Sequence, residues 1–194
     1  MMHLTEQIKK YIPCNEQEER DQAQMLHFMG HTPDCLTREN TIAHFSASIW
    51  TLNPSYTKTL MIYHNIYDSW SWIGGHADGD PNLCAVALRE LQEETGVENA
   101  VLVSPDIFSL ETLTVNGHIK KGIYVPSHLH LNVTYLAVAE ESAPLRIKPD
   151  ENQKVSWFTF SDALTLPKES WMIERIYAKL IQKCVRLKNA PHGF

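Results

Sequence analysis

Three glutamates lie close together in one short segment, and their spacing allows them to bind a metal ion. Glu90, Glu93 and Glu94 occupy positions i, i+3 and i+4, which lie on one side of a helix within a single turn. Like charges at this spacing repel each other, and the neighbouring Arg89 offsets only part of that repulsion. Mg²⁺ prefers carboxylate oxygens and readily shares substrate phosphates. The segment predicts either a divalent-metal site for phosphate chemistry or a solvated acidic helix face.

The segment around these glutamates is predicted to be a helix with one buried side. Asp80 suits the N-cap, Pro81 suits the first helical position, and Gly96 suits the end. Gly74 and Gly75 precede the helix and are expected to break the strand that leads into it. Apolar residues recur at three- and four-residue intervals and form the predicted buried stripe: Cys84, Ala87, Leu88 and Leu91.

The stretch from Gly75 to Val97 resembles the signature motif of the Nudix hydrolases, G-x5-E-x7-R-E-U-x-E-E-x-G-U, in which U is aliphatic. Eight of the nine defined positions match: Gly75, Arg89, Glu90, Leu91, Glu93, Glu94, Gly96 and Val97. The ninth is Pro81, where the motif has glutamate. Asp78 or Asp80 is expected to replace the missing negative charge in part.

The resemblance implies a fold and a reaction. The fold is of the α/β (α+β) class, a Nudix-type α/β/α sandwich with a mixed central sheet. The reaction is hydrolysis of a diphosphate linkage in a nucleoside diphosphate derivative or related metabolite. The enzyme would be a Nudix pyrophosphohydrolase that uses Mg²⁺ or Mn²⁺.

The resemblance also implies roles for the residues of the motif. Glu93 and Glu94 would be direct metal ligands, and Glu90 would be a ligand or the general base. Arg89 would orient these carboxylates. The backbone carbonyl of Gly75, or of the glycine before it, would add a further metal ligand.

Four residues outside the helix are further candidates for the site. Many Nudix enzymes take an acidic ligand from a later loop, and Glu151 fits that position; an ordinary turn carboxylate is the alternative. His128 and His130 share one face of a predicted strand, and His76 follows the glycine pair. These three histidines are predicted to bind the substrate, and two histidines at i and i+2, such as His128 and His130, can also bind a transition metal or a phosphate. Polar positions on a half-exposed strand are the alternative.

Helix and strand patterns place these residues in one domain behind an N-terminal helical extension. In the extension, residues 1–42, a helix is expected to have Asn15 as N-cap, Glu18 as its capping-box partner and Gly30 as C-cap. Residues 43–194 form the predicted Nudix domain. Its expected elements are strands at His44–Leu52, Thr59–His64, Ala100–Val103, Asp106–Leu113, His130–Ala139 and Val155–Phe160, and a last helix at Glu169–Leu187.

Composition narrows the possible partners. Of the 194 residues, 43% are hydrophobic and 21% are charged, as in an ordinary globular protein. The net charge of −6 argues against a nucleic-acid polymer as partner, whereas a bound cation would still allow a small anionic substrate. No apolar run approaches the roughly 20 residues that span a bilayer. We therefore expect a cytoplasmic enzyme whose substrate is a small-molecule diphosphate. A homodimer is compatible with the sequence.

Two other functions remain open. A non-catalytic Nudix-fold module for ligand binding or regulation would need a DNA-binding or partner domain, and residues 1–42 show neither a basic face nor a helix-turn-helix pattern. An enzyme like isopentenyl-diphosphate isomerase shares the fold and uses Cys, Glu and a His-rich metal site. Cys84 lies within the motif helix, on its apolar side rather than before it, which argues against this second alternative.

Overall fold

The computed structural model describes residues 4–120 and 122–189, so residues 190–194 of the predicted domain lie outside the described part. The helices are α1 (Leu4–Lys10), α2 (Glu16–His31), α3 (Leu83–Thr95), α4 (Phe160–Ala163), α5 (Ser170–Met172) and α6 (Ala178–Lys188). The strands are β1 (Ala43–Leu52), β2 (Lys58–His64), β3 (Ser69–Ser71), β4 (Ile73–His76), β5 (Val101–Leu102), β6 (Ser109–Val115), β7 (His118–Lys120), β8 (Ile123–Val125), β9 (His128–Val138) and β10 (Asn152–Thr159). This is the mixed α+β composition that was predicted. Within the described ranges, no helix combines the length and hydropathy needed to cross a bilayer.

Eight of the strands are hydrogen-bonded into one mixed sheet. Its path is β10-β2-β1-β9-β5, with β3 beside β2, β4 beside β1 and β6 beside β9, while β7 and β8 form a separate pair. The β6–β9 and β10–β2 registers are antiparallel. The N–H of Leu129 donates to Ile42 O, and the N–H of Ala139 donates to Leu52 O. The separation in sequence between donor and acceptor is the same in both bonds, so β1 and β9 run parallel. A mixed sheet confirms the expectation from the resemblance.

Contacts group the chain into two compact units, and β1, α3 and β9 contribute residues to both. The first unit comprises the residues up to Ile49, with Gly74–Glu90 and Ser104–Tyr135. The second comprises Trp50–Ile73, Leu91–Val103 and the residues from Leu136 onward.

In the first unit, strand β1 is buried on both faces. Phe45 and Ile49 lie on the apolar face, where neither side chain is exposed. His44 and Ser48 lie on the opposite face, and they too are buried. Since buried polar groups need hydrogen-bond partners, this polar face indicates a functional interior rather than a simple core.

A buried carboxylate ties α2 to the rest of the first unit. Glu18 is fully buried and accepts hydrogen bonds from Cys14 N at 2.8 Å, Tyr11 Oη at 2.5 Å and Ser109 Oγ at 2.7 Å. The side chain of Asn15 accepts from Glu18 N at 2.9 Å, which confirms the predicted N-cap. The helical extension is therefore anchored to β6, and the predicted division between residues 1–42 and 43–194 stays a prediction.

The predicted end of α2 is wrong by two residues. The helix includes Gly30, continues through His31 and has Thr32 as its C-cap. The imidazole Nδ1 of His31 lies 2.8 Å from the carbonyl of His27. The C-cap residue Thr32 has extended backbone, with φ −134° and ψ 90°, so this helix end does not use the left-handed conformation that favours glycine.

The predicted start of α3 is also wrong, because Asp80 and Pro81 precede the helix. The Asp80 carboxylate accepts from Asn82 N at 2.8 Å, which makes a turn before the first helical residue, Leu83. Asn82 Oδ1 in turn accepts from Ala85 N at 3.3 Å. Asn82 therefore caps the helix in place of Asp80.

The predicted last helix is interrupted. A π-helical turn at Ile173–Tyr177 separates α5 from α6, and single π turns inside helices are a recognised irregularity that a 3.6-residue pattern does not reveal. The hairpin formed by β7 and β8 was not predicted.

Gly30→Ala is expected to stabilise the protein by about 0.5–1 kcal/mol, since a glycine inside a helix costs this much relative to alanine. A Cβ at Gly30 meets no atom within 4 Å. Gly79→Ala is the matched control: its surroundings are also open, but its φ is +89°, so alanine there should cost about 1–2 kcal/mol. Urea unfolding measures both, and a loss of stability in Gly30→Ala would support the C-cap that the structure contradicts.

Candidate functional site

Helix α3 presents its three glutamates at different depths. Glu94 is 2% exposed, Glu90 is half-buried and Glu93 is exposed. The helix ends as predicted, because Gly96 has a φ of +76° and its N–H donates to the carbonyl of Gln92 at 2.9 Å. The buried side of the helix consists of Leu83, Val86, Ala87 and Leu91.

In the first unit, Gly75 and Glu90 lie directly against each other. A Cβ built on Gly75 would overlap Cδ and Oε1 of Glu90. A Cβ on Gly74 would lie 2.6 Å from the carbonyl oxygen of Ala47. The prediction that the glycine pair breaks the strand is wrong, because both glycines lie inside β4. The two glycines are instead positions where only a hydrogen side chain fits.

The first unit also pairs the two aspartates around Pro81 with arginines. Arg89 Nη1 lies 3.7 Å from Asp80 Oδ2. Arg38 donates from Nε and Nη2 to the two carboxylate oxygens of Asp78, at 2.7 and 2.6 Å. Both aspartates are therefore already paired with a positive charge.

In the second unit, Lys148 lies between Glu93 and Glu151. Its ammonium nitrogen is 2.8 Å from Glu93 Oε2 and 3.2 Å from Glu151 Oε2. Burial lowers the pKa of Lys148, but the hydrogen bonds to the two carboxylates outweigh burial, and the pKa is raised overall. The helix glutamate and the predicted loop glutamate thus share one cation.

The loop that carries Glu151 is attached to the end of α3. Asn152, which is fully buried, donates from Nδ2 to the carbonyl of Glu94 at 2.9 Å. Arg146 N donates to the carbonyl of Thr95 at 2.8 Å. The last carbonyls of a helix lack partners within the helix. These two bonds therefore cap α3 and also hold the loop against its end.

The three predicted histidines lie together in the first unit, and His44 joins them. The ring centroid of His44 is 5.2 Å from that of His76, 4.9 Å from that of His128 and 5.0 Å from that of His130. Sequence reasoning missed His44. The sequence did contain a signal for it, because polar residues alternate with apolar ones along β1. Only the apolar face of that strand was used for the prediction.

Burial lowers the pKa of three of these imidazoles, those of His44, His76 and His130. It lowers the pKa of His76 to about 3 and that of His130 to about 2, with nearby positive charges adding to the effect. Burial also lowers the pKa of His44. These three rings are therefore neutral at neutral pH, and they can donate a hydrogen bond or offer a nitrogen lone pair but supply no positive charge.

A buried polar network continues from the histidines along the same faces of β1 and β9. Asn132 Oδ1 accepts from Ser46 Oγ at 3.1 Å and from Ser48 Oγ at 2.9 Å. Glu111 Oε2 accepts from Asn132 Nδ2 at 3.0 Å and from Thr134 Oγ1 at 2.8 Å. Every second residue of β9 from His128 to Thr134 is polar, and that alternation was the unused signal in the sequence.

The profile of the NUDIX domain matches residues 43–180, which is most of the chain. The chain belongs to the Nudix family. A search of curated protein sequences finds no match.

Solved structures of other Nudix proteins share the fold. A NUDIX-family hydrolase from Clostridium perfringens superposes with a TM-score of 0.53 at 17% identity, covering 74% of this chain and 97% of the other. The Caenorhabditis elegans Ap4A hydrolase gives 0.53 at 19% identity, covering 74% and 96%. The MutT protein from Methanosarcina mazei Go1 gives 0.56 at 15% identity, covering 78% and 99%. At these identities the likeness establishes the Nudix fold alone.

Asn152→Ala should lower the free energy of unfolding by about 1–3 kcal/mol, because the carbonyl of Glu94 loses a buried donor. Chemical denaturation gives the free energy. Asn99→Ala, at an exposed asparagine of the same unit, is the control and should stay within about 0.5 kcal/mol of the parent. Equal stabilities for the two variants would show that Asn152 does not hold the loop.

Proposed function

We propose that this Nudix protein hydrolyses a diphosphate linkage in a nucleoside diphosphate derivative or related metabolite, with Mg²⁺ or Mn²⁺ as cofactor. The observation that supports this most directly is the position of Lys148 between Glu93 and Glu151. These two carboxylates, both predicted to be metal ligands, contact the positively charged ammonium group of Lys148. The hydrolase names of the structural relatives, including the Ap4A hydrolase, agree with this reaction class.

The donor set fits a hard divalent ion. Glu90, Glu93 and Glu94 share one side of α3, and carboxylate oxygens are the ligands that Mg²⁺ and Mn²⁺ prefer. In this proposal Glu93 and Glu94 are direct ligands. Gly75 adds its carbonyl from beside Glu90, and Glu151 adds its carboxylate from beside Glu93.

In this proposal Glu90 and Arg89 have different roles in hydrolysis. A bound divalent ion neutralises phosphate charge and lowers the pKa of the attacking water. Glu90 accepts the proton of that water as it attacks phosphorus, and the bond to the bridging oxygen breaks, leaving that oxygen on the departing phosphate. Arg89 neutralises charge at the start of the helix through Asp80, and in this proposal it orients the carboxylates.

A substrate role for His76, His128 and His130 depends on hydrogen bonding. Since His76 and His130 are neutral at neutral pH, they would meet phosphate oxygens as N–H donors rather than as cations. Positive charge for the phosphates must therefore come from the metal and from lysine or arginine side chains.

Glu94→Gln should reduce hydrolysis by roughly 100-fold or more, the scale expected for a key acid–base or metal-site group. Phosphate or pyrophosphate release is measured over nucleoside diphosphate sugars and dinucleotide polyphosphates with Mg²⁺ and Mn²⁺. Glu19→Gln, at an exposed glutamate of α2, should keep the parent activity. Activity that survives Glu94→Gln, or that persists in EDTA, would overturn the assignment of the site.

Lys148→Gln should tighten Mn²⁺ binding by about tenfold, because a divalent ion at Glu93 no longer competes with an ammonium group. Titration of Mn²⁺ followed by electron paramagnetic resonance gives the affinity. Lys58→Gln is the matched control, since Lys58 is also paired with a carboxylate, Glu141 Oε2 at 2.6 Å. Weaker Mn²⁺ binding in Lys148→Gln would mean that Lys148 orients the ligands instead of competing for them.

A further inference from the structure

We propose that His44, His76, His128 and His130 form a binding site for a transition-metal ion of the Zn²⁺ type. This histidine site is separate in chemistry from the carboxylates of α3 and does not depend on the hydrolase activity. All four residues lie in the first unit, on β1, β4 and β9.

The four imidazoles converge on one point. One nitrogen from each of His44, His76 and His130 lies within 4.8 Å of the others. Nε2 of His128 lies 3.1 Å from Nε2 of His130, a hydrogen bond that a metal ion bound to both nitrogens would replace. Zn²⁺ holds imidazole nitrogens at about 2.0–2.1 Å in a tetrahedron, which sets them roughly 3.4 Å apart. The His128–His130 pair is already at that spacing. Among His44, His76 and His130, side-chain rotation has to close the widest gap by roughly 1.4 Å.

Backbone carbonyls orient two of the rings for metal binding. Nδ1 of His44 lies 2.8 Å from Asn40 O, and Nδ1 of His128 lies 2.8 Å from Pro126 O. A carbonyl only accepts, so each Nδ1 carries the hydrogen and each Nε2 keeps a lone pair. A carbonyl on the far ring nitrogen is the usual outer partner of a metal-bound histidine.

The strongest single sign is the unsatisfied nitrogen of His44. This side chain is 3% exposed, and its Nε2 is buried with no hydrogen-bond partner. A buried polar atom without a partner costs about 1–3 kcal/mol, whereas a metal ion would use the lone pair. The ring of His44 also lies within 5.2 Å of each of the other three rings, measured between centroids.

The all-nitrogen donor set decides which metal fits. Imidazole suits Zn²⁺, Co²⁺, Ni²⁺ and Cu²⁺, whereas Mg²⁺ prefers oxygen. Imidazole ligands bind a metal through a nitrogen lone pair and add no charge, so the ion keeps its full charge. The buried carboxylate of Glu111 is linked to Ser48 of β1 through Asn132. The protein would thus carry two chemically distinct metal sites.

The test is Co²⁺ and Zn²⁺ binding to the full chain in excess Mg²⁺. His27 and His31, an exposed pair on α2 with ring centroids 4.5 Å apart, are another place for such ions to bind, so all proteins carry His27→Ala. We expect one equivalent of Co²⁺ with the strong visible absorption of a four-coordinate nitrogen site, displaced by Zn²⁺. Absence of this band, or a band of six-coordinate type, overturns the proposal.

Variants locate the bound ion. His44→Gln and His130→Gln should each weaken Zn²⁺ binding by about 100-fold or more, beyond the roughly 10–100-fold lost when only an outer partner of a ligand is removed. His64→Gln, at a histidine of the second unit, should bind as the parent does. Glu93→Gln with Glu94→Gln should also keep the Zn²⁺ site, which separates this proposal from the proposed hydrolysis. Unchanged affinity in His44→Gln and His130→Gln overturns the assignment.

A measurement on the parent protein avoids the risk that a histidine variant does not fold. Nitrogen-15 spectra of the imidazoles should show Nδ1–H tautomers for His44 and His128, and Zn²⁺ should shift their Nε2 resonances. Zn²⁺ that shifts neither resonance contradicts the proposal.

Discussion

The negative charge on α3 is the constraint on which the rest of the site depends. Three carboxylates within one helical turn repel each other unless positive charge lies beside them. For Glu93 that charge is the ammonium group of Lys148, which also contacts Glu151. The loop that supplies Lys148 is held by carbonyls at the end of the same helix. One segment therefore both caps the end of the helix and pairs Glu93 with a cation.

The second constraint is the lack of side-chain volume at the glycine pair. Gly75 lies against the Glu90 carboxylate, and Gly74 lies against the backbone of β1. Any larger residue would displace the carboxylate or the strand. The motif glycine is therefore required for a steric reason, which complements the metal-ligand role that the resemblance implies.

Much of the architecture could be predicted, because it depends on local patterns. The mixed sheet, the Asn15 cap and the Gly96 end of α3 follow from periodicity and capping chemistry. The start of α3 could not be predicted in the same way, since Asp80 and Asn82 are both good N-cap residues. Asp80 forms a turn with Asn82 N, and this leaves Asn82 as the N-cap. The π turn at Ile173–Tyr177 likewise leaves no mark in a helical pattern.

The histidine cluster and the polar network show what single-strand patterns miss. His44 and His130 belong to strands that are far apart in the sequence, and only pairing in the sheet brings their rings together. Glu111 and Asn132 were not singled out for the same reason. The sequence did suggest the chemistry of His128 and His130, because two histidines at alternate strand positions share a face.

The most direct test of the central claim is a crystal structure of the protein with Mn²⁺ and a non-hydrolysable diphosphate, analysed by anomalous scattering. The account predicts a manganese peak in contact with Glu93 and Glu94 on α3, with Lys148 moved away from Glu93. A fully bound diphosphate with no manganese at α3, and with the Lys148 bridge between Glu93 and Glu151 intact, would contradict it.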